Sequence, residues 1–239
     1  MGVPDGAMGR TDLRRRVDRA LDLLESGFGI PRRRRMAPPL DELILTILSQ
    51  NTNDRNRDRA YTSLRRRFPT WEGVLKARPG QIEEAIRIGG LSRTKSKVIS
   101  EALRRVKRER GRLSLEFLRR LPTEQARTWL ARFKGVGEKT VNCVLLFSCG
   151  RPVFPVDTHI HRVARRIGWV PAGATPARTH EIMGRLVPDG RCLSGHINLI
   201  TLGRRYCRPR APDCRACPVR TGCRYGRNGR ARTGRGTGN

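Results

Sequence analysis

No stretch of the 239-residue sequence stays apolar for the roughly eighteen residues that a membrane-spanning helix needs. The N-terminal segment MGVPDGAMGRTDLRRR also lacks the apolar core of a secretory signal. Hairpin-type turns and runs of alternating apolar and polar residues are missing as well, so no β-sheet is predicted. These absences favour a cytoplasmic protein with no membrane partner and an all-α fold.

Acidic residues are scarce in this sequence. It contains 21 Asp and Glu residues against 51 Lys and Arg, which gives a formal net charge of +30 spread over the whole chain. A positive field of this size attracts polyanions, and nucleic acid is the commonest polyanion in a cell. Lysine is scarcer still, since 45 of the 51 basic residues are Arg, which indicates some codon bias. The charge favours nucleic-acid binding, and a solvated, Arg-rich surface is the alternative.

Apolar periodicity predicts helices along the chain. The segment 40–49, LDELILTILS, is apolar on nearly every side, which predicts a buried helix. The segment 96–111 carries one apolar stripe before a terminating glycine, and the segment 138–150 is strongly apolar. Thr175 and Pro176 are typical of an N-cap followed by proline at the first helical position. We therefore predict an all-α fold of two helical lobes.

Two segments have the composition of unstructured chain. The segment 29–39, GIPRRRRMAPP, combines a charge run with three prolines and is interpreted as a linker. The C-terminal segment 226–239, GRNGRARTGRGTGN, has five glycines and four arginines. Such a composition buries too little apolar surface to fold, so it predicts a disordered basic tail.

A Gly-Val-Gly turn at 135–137 directly precedes the apolar segment 138–150. Glycines let a backbone turn tightly and approach a ligand closely, and a helix start offers free N–H groups with a partial positive charge. That combination suits a phosphate, and a tight turn between two packed helices is the alternative. Glu138 separates Gly137 from Lys139, so the spacing excludes a nucleotide P-loop.

Lys139 and Asp157 are the candidate catalytic residues. Lysine, unlike arginine, can lose its proton when buried and serve as a nucleophile. A solvated lysine at a helix start is the alternative, since Lys134 lies five residues earlier with no obvious task. Asp157, in VFPVDTHIHRV, precedes a helical pattern and suits an N-cap. A capping carboxylate is also held rigidly enough to be aimed at a neighbouring site.

Four cysteines lie within seventeen residues near the C-terminus, in the pattern C-x6-C-x2-C-x5-C. In a reducing compartment, clustered cysteines are more often metal ligands than disulfide partners. Spacing alone does not separate zinc from an iron–sulfur cluster, since both accept four thiolates. Three other cysteines lie outside the pattern and are predicted to be buried thiols: Cys143, Cys149 and Cys192.

Taken in order, these motifs resemble the endonuclease III branch of the helix-hairpin-helix DNA glycosylases. The resemblance runs from about residue 38 to residue 225 and includes the Gly-Val-Gly turn, the lysine and the cysteine pattern. Four further segments carry it: LSQNTND (48–54), GGLSRTKSKVI (89–99), VDTHI (156–160) and LGRRYC (202–207). One departure is Phe133-Lys134, where the family commonly has Leu-Pro.

The resemblance implies a six-helix barrel with the helix-hairpin-helix over 38–154. It implies a second helical lobe, built from 1–37 and 155–225, that carries the cluster loop. The Arg-rich linker and the tail 226–239 have no clear counterpart in shorter members of the family. The implied partner is double-stranded DNA that contains a damaged base or an abasic site. We expect a monomer, and the missing membrane and signal segments favour a cytoplasmic or nucleoid-associated protein of a bacterium or archaeon.

The resemblance also implies roles for the candidate residues. Gly135 and Gly137 would hold a DNA phosphate through their amides. Lys139 would attack C1′ of the damaged nucleotide, displace the base and leave a Schiff base that breaks the strand by β-elimination. Asp157 would stabilise positive charge on the sugar and help to activate the lysine. The chemistry of the residues agrees, because attack at C1′ needs a neutral amine and a cationic sugar suits a nearby carboxylate.

A base inside a duplex is out of reach, so its nucleotide must be flipped out at a cost of about a few kcal/mol. By resemblance, Leu91 would wedge into the gap, with Gln50 or Asn51 filling the space left in the stack. The alternatives are a core or capping leucine for Leu91 and a polar helix end for the other two.

The resemblance assigns a [4Fe–4S] cluster to the four cysteines of the pattern, which are Cys207, Cys214, Cys217 and Cys223. The arginines between them would offset thiolate charge and present cations to the DNA backbone: Arg208, Arg210 and Arg215. The cluster would then act as a staple with a basic loop, remote from the bond-breaking chemistry.

The sequence thus predicts a base-excision repair enzyme, a bifunctional DNA glycosylase and abasic-site lyase. The first alternative is a monofunctional mismatch- or uracil-specific glycosylase of the same superfamily, in which no Schiff base forms. Lys139 argues against it, because such relatives usually lack that lysine. The second alternative is a DNA-binding metal module without catalysis, and the presence of both Lys139 and Asp157 argues against that one.

Overall fold

The computed structural model describes residues 10–31 and 36–228, and these residues form helices and turns without any β-strand. The all-α prediction is therefore confirmed. The chain divides into two compact units. We call residues 33–152 the central unit, and residues 1–32 together with 153–239 the terminal unit. Within the described residues, no helix has the length and apolar character needed to cross a bilayer.

The described residues form twelve α-helices, joined by single turns of 3-10 helix and by one π-helical turn. The α-helices are α1 (Arg10–Phe28), α2 (Pro39–Leu48), α3 (Asp54–Arg67), α4 (Trp71–Lys76), α5 (Pro79–Ala85), α6 (Ser92–Arg110), α7 (Thr123–Ala131), α8 (Glu138–Cys143), α9 (Thr158–Ile167), α10 (Pro176–Leu186), α11 (Cys192–Arg205) and α12 (Arg224–Asn228). The short turns are Arg87–Gly89, Glu116–Arg119, the π turn Val144–Ser148, Asp189–Arg191 and Arg220–Gly222.

Helix α2 is the buried helix predicted for 40–49, and it begins and ends one residue earlier than predicted. Leu43, Ile44 and Ile47 have no exposed surface. Burial of each such side chain stabilises the fold by about 1.5–3 kcal/mol. Pro39 occupies the first helical position, where its missing N–H leaves no helical bond unmade. Because α2 packs against α3, α6 and α8, it lies at the centre of the central unit.

Helix α6 carries the apolar stripe predicted for 96–111, and Ile99, Leu103 and Val106 are fully buried. The helix ends at Gly111, whose φ of 70° lies in the left-handed region that favours glycine. It begins at Ser92, one turn earlier than predicted. The pattern of apolar residues does not indicate this first turn, because its buried residue is a lysine, Lys95.

The apolar segment 138–150 forms α8 and then widens into the π turn. The Cys149 N–H donates to Val144 O at 3.2 Å, an i to i+5 bond. Such turns are rare in proteins. The apolar periodicity does not predict this π turn. A segment that is apolar on every side shows the same pattern in an α-helical turn and in a π-helical turn.

Of the three cysteines outside the C-terminal pattern, Cys143 and Cys192 are buried as predicted. Cys149 is only half-buried, so the prediction is wrong for that residue. It follows the π turn, where the helical segment ends and the chain leaves the core. Its remaining burial still raises the pKa of the Cys149 thiol to about 11.

In the terminal unit, α11 packs against α1 and α9. Two glycines of α11 allow this close approach. A Cβ on Gly195 would lie 3.2 Å from Leu21 Cδ2, and a Cβ on Gly203 would lie 2.9 Å from His159 Cβ. Larger residues at either position would push the helices apart. This packing fixes α9, the helix that follows Asp157.

The two segments with unstructured composition are described only in part. Residues 226–228 belong to α12, so the prediction of disorder from residue 226 is wrong at its start. A local bond explains the order, because the Gly226 N–H donates to Cys223 Sγ at 3.3 Å. The rest of the predicted tail, 229–239, and residues 32–35 of the predicted linker lie outside the described residues.

Candidate active site and cysteine pocket

The Gly-Val-Gly turn lies in the connection between α7 and α8, and its two glycines have different structural roles. Gly135 has a φ of 77°, and a Cβ there would lie 2.9 Å from Val98 Cγ2. Conformation and space therefore both require glycine at 135. Gly137 is extended backbone at the N-cap of α8, and a Cβ there would meet no atom within 4 Å. Gly135 shapes the hairpin, and Gly137 leaves open surface beside the helix start.

Lys139, the second residue of α8, is half-buried. Helix α8 packs against α2, and Glu42 in the first turn of α2 interacts electrostatically with Lys139. Burial raises the pKa of Glu42 to about 7, against the opposing effects of a hydrogen bond from Thr46 and of the positive charges of Lys139 and Arg57. Thr46 Oγ1 donates to Glu42 Oε1 at 3.1 Å. No sequence motif marks Glu42, because its interaction with Lys139 depends on the packing of α2 against α8.

The pKa of Glu42 predicts a pH-dependent stability. Because the folded-state pKa lies above the ordinary 4.5, the folded protein binds the proton more tightly than the unfolded chain. Stability from this group is present below about pH 4.5 and is lost as the pH rises through 7. Glu42→Gln is therefore expected to melt at a higher temperature than the wild type at pH 8, by on the order of a few °C. The difference in melting temperature should be smaller at pH 5.

Glu72→Gln is the matched control for Glu42→Gln, because Glu72 lies in the first turn of α4 and is exposed. Its melting temperature, measured by calorimetry at both pH values, should follow that of the wild type. An equal shift of the Glu42→Gln variant at pH 5 and pH 8 would contradict a raised pKa at this carboxyl.

Two exposed residues of the central unit have left-handed backbone. Asn51 and Leu91 both have a φ of 50°, and Ala211 is the third such non-glycine residue in the part of the chain that the structure describes. This conformation costs an L-residue about 1–3 kcal/mol and is enriched at functional sites. The Leu91 side chain is 55% exposed. Leu91 is therefore not a core leucine; its backbone stands at the N-cap of α6 and its side chain is exposed.

Gln50 and Asn51, which the sequence left as equal candidates, differ in the structure. Gln50 is half-buried, and its Nε2 donates to Gly135 O of the hairpin at 3.1 Å. Asn51 is exposed and lies at the left-handed position. The amide of Gln50 is thus used to join its loop to the hairpin, whereas Asn51 presents its side chain to solvent.

Asp157, in the terminal unit, is the N-cap of α9, as its position before the helical pattern predicted. Its Oδ1 accepts a hydrogen bond from the Ile160 N–H at 2.8 Å, and the residue is half-buried. The cap predicted at Thr175 is also confirmed, since Thr175 Oγ1 accepts from the Arg178 N–H at 3.2 Å. One oxygen of Asp157 is therefore fixed in place by the helix start.

Helix α9 is joined to the cysteine loop by two arginines. Arg162 Nε donates to Cys207 O at 2.8 Å. Arg166 donates to Arg208 O at 2.6 Å and Pro209 O at 2.9 Å, and its Nη1 lies 3.4 Å from Cys207 Sγ. The same helix therefore begins at the candidate carboxylate and supports the loop that holds the cysteines.

The four cysteines of the pattern line one pocket of the terminal unit, together with Arg166, Tyr206 and Tyr225. All four are thiols without a disulfide bond. Burial raises the pKa of three of them, those of Cys214 and Cys223 and, to about 11, that of Cys217. In the described chain, no group of three or more His, Cys, Asp or Glu side chains is arranged to hold a metal ion. The thiols therefore face a common space without standing at ligand geometry.

Three arginines of the cysteine loop lie outside the pocket, whereas a fourth, Arg220, is among the residues that line it. Arg208, Arg210 and Arg215 are exposed. Arg208 donates to Ala211 O at 3.1 Å, which closes a turn around the left-handed Ala211. The loop thus carries three exposed cations.

Comparison with known proteins extends these findings. The family model described as HhH-GPD superfamily base excision DNA repair protein matches residues 44–189. Endonuclease III of Thermotoga maritima is 36% identical over 200 residues, which cover 82% of this chain and 87% of that protein. A putative DNA glycosylase of Arabidopsis thaliana is 48% identical over 150 residues, 63% of this chain and 51% of that protein, so the chain spans about half the length of the plant relative.

Among solved structures, a trapped endonuclease III–DNA covalent intermediate superposes with a TM-score of 0.77 at 24% identity, covering 90% of this chain and 97% of that one. At this identity the likeness establishes the fold alone. The resemblance predicted from the motifs is confirmed by the family model and by the bacterial relative. The chain belongs to the HhH-GPD superfamily of base excision DNA repair proteins.

Proposed function

We propose that the protein is a bifunctional DNA glycosylase that removes a damaged base from double-stranded DNA and then cleaves the abasic site. The observation that carries the proposal is the position of Lys139, a half-buried lysine two residues after a hairpin whose Gly137 leaves open surface. The family acts in base excision repair, and a lysine here supplies the amine that a lyase needs. The protein acts as a monomer.

The first step brings the damaged nucleotide out of the duplex. Leu91 enters the stack and Asn51 fills the space left by the extruded base. Their exposure and their left-handed backbones support these roles, because strained backbone conformations are enriched at functional sites, where the surrounding structure maintains them. The hairpin around Gly135 and Gly137 holds a phosphate of the same strand through backbone amides.

In the second step the neutral amine of Lys139 attacks C1′ of the nucleotide. The new C–N bond replaces the glycosidic bond, whose electron pair leaves with the base, and the base takes up a proton. The sugar ring then opens to a Schiff base between Lys139 and C1′. Loss of a proton from C2′ expels the 3′ phosphate and breaks the strand by β-elimination. Asp157 stabilises positive charge on the sugar during attack, a role that suits a carboxylate oriented by a helix start.

The four cysteines Cys207, Cys214, Cys217 and Cys223 hold a [4Fe–4S] cluster in this proposal. Their thiols line one pocket, and two N–H donors already face the sulfurs, from Arg166 to Cys207 and from Gly226 to Cys223. A set of four thiolates fits such a cluster, and hydrogen bonds to the sulfurs are part of its usual surroundings. With a cluster bound, the four cysteines would fix the loop, and the exposed Arg208 and Arg210 would contact the DNA backbone.

The cluster assignment predicts a brown protein. Anaerobically purified wild type should absorb visible light and contain about four iron atoms per chain. Cys217→Ser should lose most of the iron, whereas Cys149→Ser, outside the pattern, should retain it. Stoichiometric zinc without iron in the wild type would overturn the assignment.

Borohydride trapping tests the proposed function directly. When wild-type protein meets a duplex with one abasic site, reduction of the Schiff base should produce a covalent protein–DNA adduct, and without borohydride the strand should be cleaved on the 3′ side. A panel of single-lesion duplexes then identifies the base that is removed. Release of a base from a lesion duplex without any trapped adduct would support the glycosylase activity and refute the lyase activity.

A further inference from the structure

Lys95 is a buried lysine in the central unit. It lies in the first turn of α6, its side chain is 2% exposed, and it is among the largest fully buried side chains of the protein. Burial lowers its pKa, and no carboxylate contributes to that shift. A lysine without an acidic partner is rarely buried, because enclosing an ammonium group is costly. Its polar bonds must therefore be made to other groups.

The Lys95 amine joins two backbone segments. Nζ donates to Leu48 O at 2.8 Å and to Gly89 O at 2.8 Å. Leu48 is the last residue of α2, and Gly89 is the last residue of the 3-10 turn Arg87–Gly89. Carbonyls at helix ends lack partners within their own helix and favour a cationic donor. One side chain therefore caps two helical ends at once.

Each capped carbonyl lies two or three residues before a residue with left-handed backbone. Leu48 lies three residues before Asn51, and Gly89 lies two residues before Leu91, the two exposed left-handed residues of this unit. The Gly89 backbone is itself closely packed, since a Cβ there would lie 3.1 Å from Ala60 Cβ. The loop of Leu91 and the loop of Asn51 are thus tied to a single buried nitrogen.

We infer that Lys95 is a positioning residue that holds the Asn51 loop and the Leu91 loop at a fixed separation, so that the two side chains enter the duplex as a pair. The inference rests on the proposed function only for the insertion roles of Asn51 and Leu91. Rigid placement matters because each loop alone is short and exposed, and ordering it at the moment of binding would weaken the complex.

The test uses duplexes with and without a tetrahydrofuran abasic-site analogue, with the dissociation constants measured at one fixed salt concentration. Lys95→Met keeps the length of the side chain and removes the donors. It should reduce the preference for the abasic-site duplex by about tenfold, the scale of coupling between residues in contact. Lys97→Met is the matched control, since Lys97 is exposed two residues further along α6 and its loss removes the same charge.

A double-mutant cycle separates positioning from general stability. If Lys95 acts through the loop of Leu91, Lys95→Met should have little further effect on the preference in a Leu91→Ala background. An undiminished effect in that background, or an equal loss of affinity for both duplexes, would overturn the inference. Leu91→Ala without any effect of its own would overturn it together with the insertion role. Borohydride trapping by the wild type reports separately on the proposed function.

Thermal unfolding is measured before the binding assays. If Lys95→Met is unfolded at the assay temperature, Lys95→Gln replaces it, because the shorter amide can still donate to one of the two carbonyls. A smaller loss of abasic-site preference is then expected. The inference is judged by the same outcomes as for Lys95→Met. A wild-type preference in a folded Lys95→Gln variant would also overturn the inference.

Discussion

Lys139→Arg is expected to abolish borohydride trapping and strand cleavage while DNA binding stays close to that of the wild type. Arginine keeps the positive charge, so the phosphate contacts of the surrounding surface are unchanged. Its guanidinium does not lose a proton in proteins, so it cannot supply the neutral amine that attacks C1′. Single-turnover cleavage of an abasic duplex should slow by a factor on the order of 10³ or more, the scale of losing a catalytic nucleophile.

Lys134→Arg is the matched control for Lys139→Arg. Lys134 is an exposed lysine in the same hairpin connection, five residues earlier, so the change is chemically the same. This variant should form the trapped adduct at the wild-type rate. If Lys139→Arg formed it at that rate too, the nucleophile would be another residue and the central assignment would be wrong.

Local signals in the sequence predicted the helices well. Predicting α2 and α6 required no tertiary information, because the spacing of apolar residues indicates whether a helix is buried on one side or on all sides. The N-caps at Thr175 and Asp157 were also predictable, since a cap is a bond between residues three apart. The all-α class followed from these elements.

The supporting groups of the candidate site were not predictable in this way. Lys95 bonds to residues 47 positions and 6 positions away, and Gln50 bonds to a residue 85 positions away. A lysine in a basic helix is normally a solvated residue, so only the packed structure distinguishes it. Glu42 was missed for the same reason, because its interaction with Lys139 depends on the packing of α2 against α8.

The resemblance named Lys139, Leu91 and the cysteines as a set, but it did not separate Gln50 from Asn51. The structure shows a difference between them, because Asn51 is exposed at a left-handed position while the Gln50 amide donates to the hairpin. Asparagine also tolerates this conformation better than most residues. This local difference is the reason for proposing Asn51, and not Gln50, as the residue that fills the stack.

Asp157→Asn is expected to slow base removal by a factor on the order of 10² or more, the usual effect of losing one preorganised electrostatic group. Asparagine caps a helix about as well as aspartate, so the bond to the Ile160 N–H is preserved and the melting temperature should barely change. The variant thus removes the charge and keeps the fold. Single-turnover release of the base, followed on a lesion duplex, measures the effect.

Thr175→Ala is the matched control, since it removes the cap of α10 in the same unit without touching the proposed chemistry. It should cost about 1 kcal/mol of stability, which lowers the melting temperature by about 2–4 °C in a chain of this size, and leave base release unchanged. The two variants therefore predict opposite patterns, one kinetic and one thermal. If Asp157→Asn lost stability and kept its rate of base release, Asp157 would be a structural cap alone, because its charge would then have no part in the transition state.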